Sequence, residues 1–182
     1  MRLPWFTIGH SNRSLEEFVE LLRSADVGLV ADIRKFPRSR ANPQFNQDVL
    51  GGSLAPFRIS YEGMGALGGR RGSAKTVPED VNGLWRNKSF HNYADYALSA
   101  EFSGGLRHLL ERGSEQRCAI MCSEAVWWRC HRRIVADYLI ASGVEVFHIM
   151  GKGRFEPARL TQGAEIRADG KVVYPWNLTA ED

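Results

Sequence analysis

The chain lacks the features that would place it in several large classes of protein. No apolar run approaches the roughly 20 residues that cross a bilayer. The opening residues, MRLPWFTIGH, turn polar too soon for the apolar stretch of a secretory signal, so a cytoplasmic protein with no membrane partner is expected. Cysteine is scarce. Three residues make an odd count, which without a secretory signal argues for reduced thiols rather than a disulfide framework. Net charge is only +3, too little to make the whole surface a polycation. There is no internal repeat, low-complexity tract or linker. With 182 residues, 43% of them hydrophobic and 25% charged, the chain reads as one globular domain, 1–182, able to bury a core without staples.

What is missing in total charge is present locally. Arg34, Lys35, Arg38 and Arg40 cluster in sequence, as do Arg70 and Arg71, and then Arg129, Arg132 and Arg133. Clusters of this kind suit an anionic ligand better than a generally adhesive surface.

Hydrophobic periodicity sets the expected architecture. Trp5–Gly9 reads as a strand and Leu15–Ser24 as an amphipathic helix. Ser14 caps that helix, with Glu17 three residues on completing a capping box. Val27–Ile33 is an apolar, β-branched strand, so the first 33 residues form a βαβ unit. Residues 36–90 are irregular, with a short helix at Gln44–Leu50, a strand at Phe57–Tyr61 and a Gly-rich loop at Gly63–Gly72. Helices follow at Phe90–Ser99 and Glu101–Arg112, the second stopped by Gly113. Cys118–Met121 is a buried strand ending in Cys122; a loop leads to a helix starting at Arg129–Arg133 and stopping at Gly143, and Val144–Met150 is the next strand. Pro157–Gly163 reads as a turn or short helix, and the segments around Asp169-Gly170 as a small hairpin. The expected fold is three-layer α/β: a mainly parallel sheet with helices on both faces and a small C-terminal hairpin.

In such a sheet ligands bind at the carboxyl ends of the strands. Those ends carry His10 and Ser11, Asp32 and Arg34, Cys122 and Glu124, and then His148 or Gly151-Lys152-Gly153. A thiol between a strand end and a helix start meets backbone N–H groups and a helix dipole that favour the thiolate, which makes Cys122 the candidate nucleophile. Glu124, His131 and His10 are candidate proton carriers, and Asp32 a candidate orienting carboxylate. Arg34, Arg38, Arg40 and Arg132 can hold an anion through paired N–H groups. Gly68, Gly69 and Arg70 form a loop that can approach a phosphate, and Ser11, at the end of the first strand, is a further candidate for binding the substrate. Trp127 and Trp128 either stack on a base or pack. Cys130 is a redox partner of Cys122, a ligand or a packing residue. The Cys118-x3-Cys122-x7-Cys130-His131 spacing does not match a zinc site, because Cys118 and Cys122 lie about 13 Å apart along a strand. No metal and no cofactor are expected.

The motifs Thr7-Ile8-Gly9-His10-Ser11, Asp32-Ile33-Arg34, Leu67-Gly68-Gly69 and above all Cys122-Ser123-Glu124 with Cys130-His131-Arg132 resemble an uncharacterised family, domain of unknown function 488. The resemblance runs from Phe6 to about Gly153. It implies the fold and the site but no established chemistry. Leu29–Arg34 and Cys118–Gly153 also resemble the rhodanese pattern, in which a strand bearing Asp-x-Arg precedes a strand ending in the catalytic Cys. That likeness implies Cys122 as nucleophile; the loop departs from the pattern in carrying Glu124, Trp127 and Trp128 where small residues are usual.

The leading expectation is an enzyme, a Cys-dependent hydrolase or transferase, acting on a small phosphate-bearing substrate, with a nucleotide or nucleic acid included. The rivals are a non-catalytic nucleic-acid or nucleotide binding module and a thiol redox or sulfurtransferase-like protein.

Overall fold

The computed structural model describes residues 2–176. β1 (Trp5–Gly9), α1 (Leu15–Ser24), β2 (Leu29–Asp32), α2 (Gln47–Leu54), β3 (Ser60–Gly63), α3 (Lys88–Tyr96), α4 (Ala100–Glu115), β4 (Cys118–Cys122), α5 (Arg132–Ala141), β5 (Val146–Gly151) and β6 (Arg154–Pro157) make the body. β7 (Glu165–Ile166) and β8 (Val172–Val173) form a separate antiparallel hairpin. The main sheet runs β3-β2-β4-β1-β5-β6, parallel except for β6 on β5.

Side-chain alternation explains the layers. Phe6, Ile8, Val30, Ala119 and Met121 point to one face and pack on Phe18, Val19 and Leu22 of α1 and Leu50 and Leu54 of α2. Trp5, Leu29, Ala31, Cys118 and Ile120 point to the other, against α3, α4 and α5. The chain moves one way across the sheet from β1 to β3 and the other way from β3 to β5. Right-handed crossovers therefore put α1 and α2 on one face and α3 to α5 on the opposite one. Each large side chain so buried contributes roughly 1.5–3 kcal/mol relative to exposure.

α1 begins as its sequence predicts, with the Ser14 hydroxyl accepting from the Glu17 N–H at 3.1 Å. The hairpin is tied to α5 by Asp137, whose carboxylate accepts from Tyr174 Oη at 2.7 Å and from the Thr161 N–H at 2.9 Å.

Several boundaries differ from the sequence reading. β3 starts at Ser60 rather than Phe57, because Ala55–Phe57 closes a 3-10 turn after α2 and Arg58 takes a left-handed conformation at φ 58°. β6 replaces the expected turn at its start: Arg154–Pro157 folds back on β5 and covers that edge, with Pro157 at the strand's last position. The helix after Cys122 starts at Arg132, preceded by a 3-10 turn at Trp127–Arg129, so Cys130 lies just outside it. Gly113 does not stop α4, which continues to Glu115.

Gly113 has another role. A Cβ there would lie 1.9 Å from the ring of Trp5, itself buried between helix and sheet. Alanine is the better helix former by about 1 kcal/mol, but overpacking costs about 1–3 kcal/mol. Gly113→Ala should therefore lower the urea unfolding midpoint with an unchanged m-value, against the direction set by helix propensity.

Candidate active site

The chain leaves β2 toward β3 and leaves β4 toward β5, so its connections diverge between these adjacent strands and a crevice opens beyond their ends. Asp32 is in register with Met121, and Cys122 follows. A cavity of about 840 Å³ sits over these ends. Its wall carries five cationic side chains, Arg34, Lys35, Arg38, Arg70 and Arg129, against one carboxylate, Glu124. A concave, low-dielectric wall of one sign concentrates ligands of the other. Ser11 and Arg70, both on this wall, hold left-handed backbones at φ 49° and 55°. For non-glycine residues such conformations cost about 1–3 kcal/mol and cluster at functional sites.

Cys122 lies on the cavity floor, 2% exposed. Burial pushes its pKa up; hydrogen bonding from Cys130, the Arg132 charge and the backbone at Glu124 more than offset that, leaving it below the ordinary thiol value. When protonated, the thiol donates to the Glu124 carbonyl at 3.7 Å. Burial and the neighbouring Cys122 charge push the Cys130 thiol up instead, so Cys130 keeps its proton.

Arg132 gives this arrangement its sign. It is the first residue of α5 and 2% exposed. One guanidinium nitrogen donates to the Glu124 and Ala125 carbonyls at 3.0 and 3.2 Å, and its Nε has no partner. Among the described residues no carboxylate pairs with it. A helix N-terminus also disfavours a cation. A buried, unpaired guanidinium is costly, and its charge is one of the causes that lower the Cys122 pKa.

The loop from β4 reaches this position by crossing the end of β1. A Cβ at Gly9 would lie 1.6 Å from the Glu124 carbonyl oxygen, so only glycine permits the crossing. His131 completes the floor. Its Nε2 lies 2.7 Å from the Ile33 carbonyl, which can only accept, so Nε2 carries the proton and Nδ1 faces the Cys130 thiol at 3.4 Å as an acceptor. Burial lowers the His131 pKa to about 4, and that of His148 to about 3.

A second cluster fixes the β2 side. Asp32 grips Arg34 in a two-pronged pair, Nε to Oδ1 at 2.9 Å and Nη2 to Oδ2 at 2.7 Å, and also accepts from Tyr61 Oη. Arg34 donates on to the Phe45 carbonyl at 2.7 Å and to His10 Nε2 at 3.2 Å. His10 gives its Nδ1 proton to the Ser11 carbonyl at 2.8 Å and stacks on Phe45. Burial lowers its pKa too. Both His10 nitrogens are thus engaged, one with Arg34 and the other with the Ser11 carbonyl.

The structure brings together His10, Ser11, Arg34, Arg38, Gly69, Arg70, Cys122, Glu124, Cys130 and His131 on the cavity wall. Asp32 and Arg132 lie behind it, buried. Gly68 also lies behind the wall and braces it, while Arg40 is exposed outside the lining. Trp127 and Trp128 do not line the cavity. Trp127 stacks on His148, centroids 4.4 Å apart, and Trp128 meets it edge-on. The loop turns them away because Trp127–Arg129 forms a 3-10 turn packed on the outer side of β1 and β5. Lys35, Phe36, Arg129 and the start of α3, from Asn87 to Tyr93, were not singled out from sequence although they line the wall. Lys35 and Arg129 belong to the basic clusters; the α3 contribution has no local signal, being a tertiary contact. Among the described residues no group of three or more His, Cys, Asp or Glu is arranged to hold a metal ion, and no helix is long and apolar enough to cross a membrane.

Fold and cavity together define a doubly wound α/β protein with a cationic cleft at its strand ends. The chain belongs to the family described as Domain of unknown function DUF488, whose model matches residues 14–139. The matched span holds Asp32, Arg34, Cys122, Cys130 and Arg132 and leaves out His10. No curated protein and no solved structure matches.

The buried histidines set a pH dependence. His131 and His148 are neutral in the fold with pKa values near 4 and 3, against about 6.5 in the unfolded chain. The unfolded state then binds more protons below pH 6.5, so stability is full above that pH and falls as pH drops toward 4, by up to about 1.4 kcal/mol per pH unit per histidine. Urea midpoints at pH 7.5, 6.5 and 5.5 should be level across the first interval and fall across the second. His131→Asn should make the second fall shallower.

Proposed function

We propose that the protein is an enzyme that uses the Cys122 thiolate as a nucleophile on a phosphate-bearing substrate. The observation carrying this reading is Arg132, a buried guanidinium without a carboxylate, set beside a thiol of lowered pKa beneath a cavity lined with cations. A structural Cys would be neutral and apolar in its surroundings, as Cys118 is: buried in the core, with burial pushing its pKa far up.

In this reading Arg34, Lys35, Arg38, Arg70 and Arg129 hold the phosphate and neutralise its charge. Cys122 Sγ attacks phosphorus, an S–P bond forms, and the P–O bond to the leaving group breaks with its electron pair on oxygen. That oxygen takes a proton from water ordered at Glu124, the one carboxylate on the wall. The hydroxide left at Glu124, or an acceptor alcohol that gives its proton to that hydroxide, then attacks phosphorus, and the S–P bond breaks with its electron pair on sulfur, restoring the thiolate. The Asp32–Arg34 pair supplies orientation, since a guanidinium held by two carboxylate bonds and His10 needs little reorganisation to bind.

A second reading has its own observation: Cys122 and Cys130 both line the cavity, and the two thiols shift each other's acidity in opposite directions. Two neighbouring thiols of unequal acidity suit reversible disulfide formation. Mild peroxide treatment would then remove two hydrogens from the intact mass of the wild type and not of Cys130→Ser. The binding-module reading draws no support from Trp127 and Trp128, which lie outside the cavity.

Alkylation by iodoacetamide measures the thiol directly. The rate at Cys122 should reach half its maximum below the free-thiol pKa of about 8.5, and Arg132→Met should move that point upward. A half-point at or above 8.5 in the wild type overturns the proposal. Against nucleoside phosphates and p-nitrophenyl phosphate, Cys122→Ser should lose roughly a thousandfold or more in turnover while still binding inorganic phosphate.

A further inference from the structure

We infer that the substrate held at this site carries a nucleobase as well as a phosphate, and that Phe36 is the platform on which the base stacks; the inference rests on the anion-binding reading above. Phe36 is the most exposed large apolar side chain among the described residues, at 63%. Isolated exposed aromatics are ordinary, and Phe57, Trp128 and Trp176 are also exposed, but none of those three lines the cavity. Phe36 does, between Lys35 and Arg38.

Its backbone is held firmly. A Cβ at Gly68 would lie 2.8 Å from Lys35 Cα, so the loop after β3 abuts the residue before Phe36. Lys35 Nζ donates to the Arg70 carbonyl at 3.3 Å, and the Arg38 N–H donates to the Phe36 carbonyl at 2.8 Å. On the far side the Gln47 N–H donates to the Pro37 carbonyl at 2.9 Å. A mobile loop could fold its phenyl ring onto apolar surface. This braced segment keeps the ring in water, where a planar apolar ligand would cover it. Rigid, pre-placed aromatic surface loses little entropy on binding. Lys35 Nζ lies 5.8 Å from the ring centroid, so aromatic face and cation sit side by side, the pairing that a base with its attached phosphate requires. The cavity, about 840 Å³, has room for a nucleotide beside the thiol. A free nucleotide and a single-stranded nucleic acid present the same chemistry.

Isothermal titration of the full chain with three probes tests this: adenosine monophosphate, ribose 5-phosphate as its baseless counterpart, and a short thymidine oligonucleotide. Adenosine monophosphate or the oligonucleotide should bind at least about tenfold tighter than ribose 5-phosphate, a difference within the range of one base stack. Phe36→Ala should erase that preference and leave ribose 5-phosphate binding within about twofold, and Phe36→Trp should preserve it. Preference for the monophosphate identifies a nucleotide site; preference for the oligonucleotide alone identifies a strand. Equal binding of all three probes, or a preference that survives Phe36→Ala, overturns the role of Phe36 while leaving the anion site intact. Failure of every probe to bind overturns both.

Discussion

A positive charge buried without a carboxylate must be balanced by something, and in this fold that requirement falls on one sulfur atom. Arg132 is fixed by the carbonyls of Glu124 and Ala125, groups that orient a guanidinium without neutralising it. The loop that supplies those carbonyls is pressed over β1 at a residue with no side chain. The guanidinium can neither withdraw to solvent nor find a neighbouring acid. That fixed charge, acting in a medium of low dielectric, helps hold the Cys122 thiol below its ordinary pKa, while burial and the neighbouring Cys122 hold the proton on Cys130 and burial keeps His131 and His148 neutral.

The fold places two guanidiniums within a few residues of the strand ends and treats them differently. Arg34 is fully matched by Asp32, so it serves as a rigid donor surface. Arg132 is left unmatched and so acts on its neighbours' protons. Sequence alone treats both as members of basic clusters. The distinction arises because β2 contributes a carboxylate two residues before its arginine that pairs with it, whereas the segment from Cys122 to Arg132 contributes two thiols, a histidine and Glu124, which meets Arg132 through its backbone carbonyl.

Where the sequence was informative, the signal was local. Short apolar runs at Trp5–Gly9, Val27–Ile33 and Cys118–Met121 revealed the central strands, and their ends pointed to the cleft. The capping serine of α1 marked its start to the residue. What escaped depended on contacts across the fold. Gly113 looks like a helix stop, yet its lack of a Cβ serves the Trp5 ring. The tryptophan pair suggested a stacking platform, but a 3-10 turn carries it to the outer side of the sheet, where it covers His148. The α3 residues on the wall and the hydrogen bond from His131 to the Ile33 carbonyl have no counterpart in spacing or composition.

The order of strands has a bearing on how the chain is made. β1 leaves the ribosome before the other strands described, yet it sits inside the sheet, with Phe6 paired to Ala119 on one side and Phe147 on the other. Neither neighbour exists until the chain has been extended past β2, β3 and the helices that follow them. β1 and the apolar stripe of α1 must therefore wait uncovered through much of translation, and the cleft can assemble only when β4 slots between β1 and β2. The nascent chain thus carries an unpaired central strand until β4 emerges, a period in which chaperone protection would matter more to this protein than to one whose neighbouring strands are consecutive.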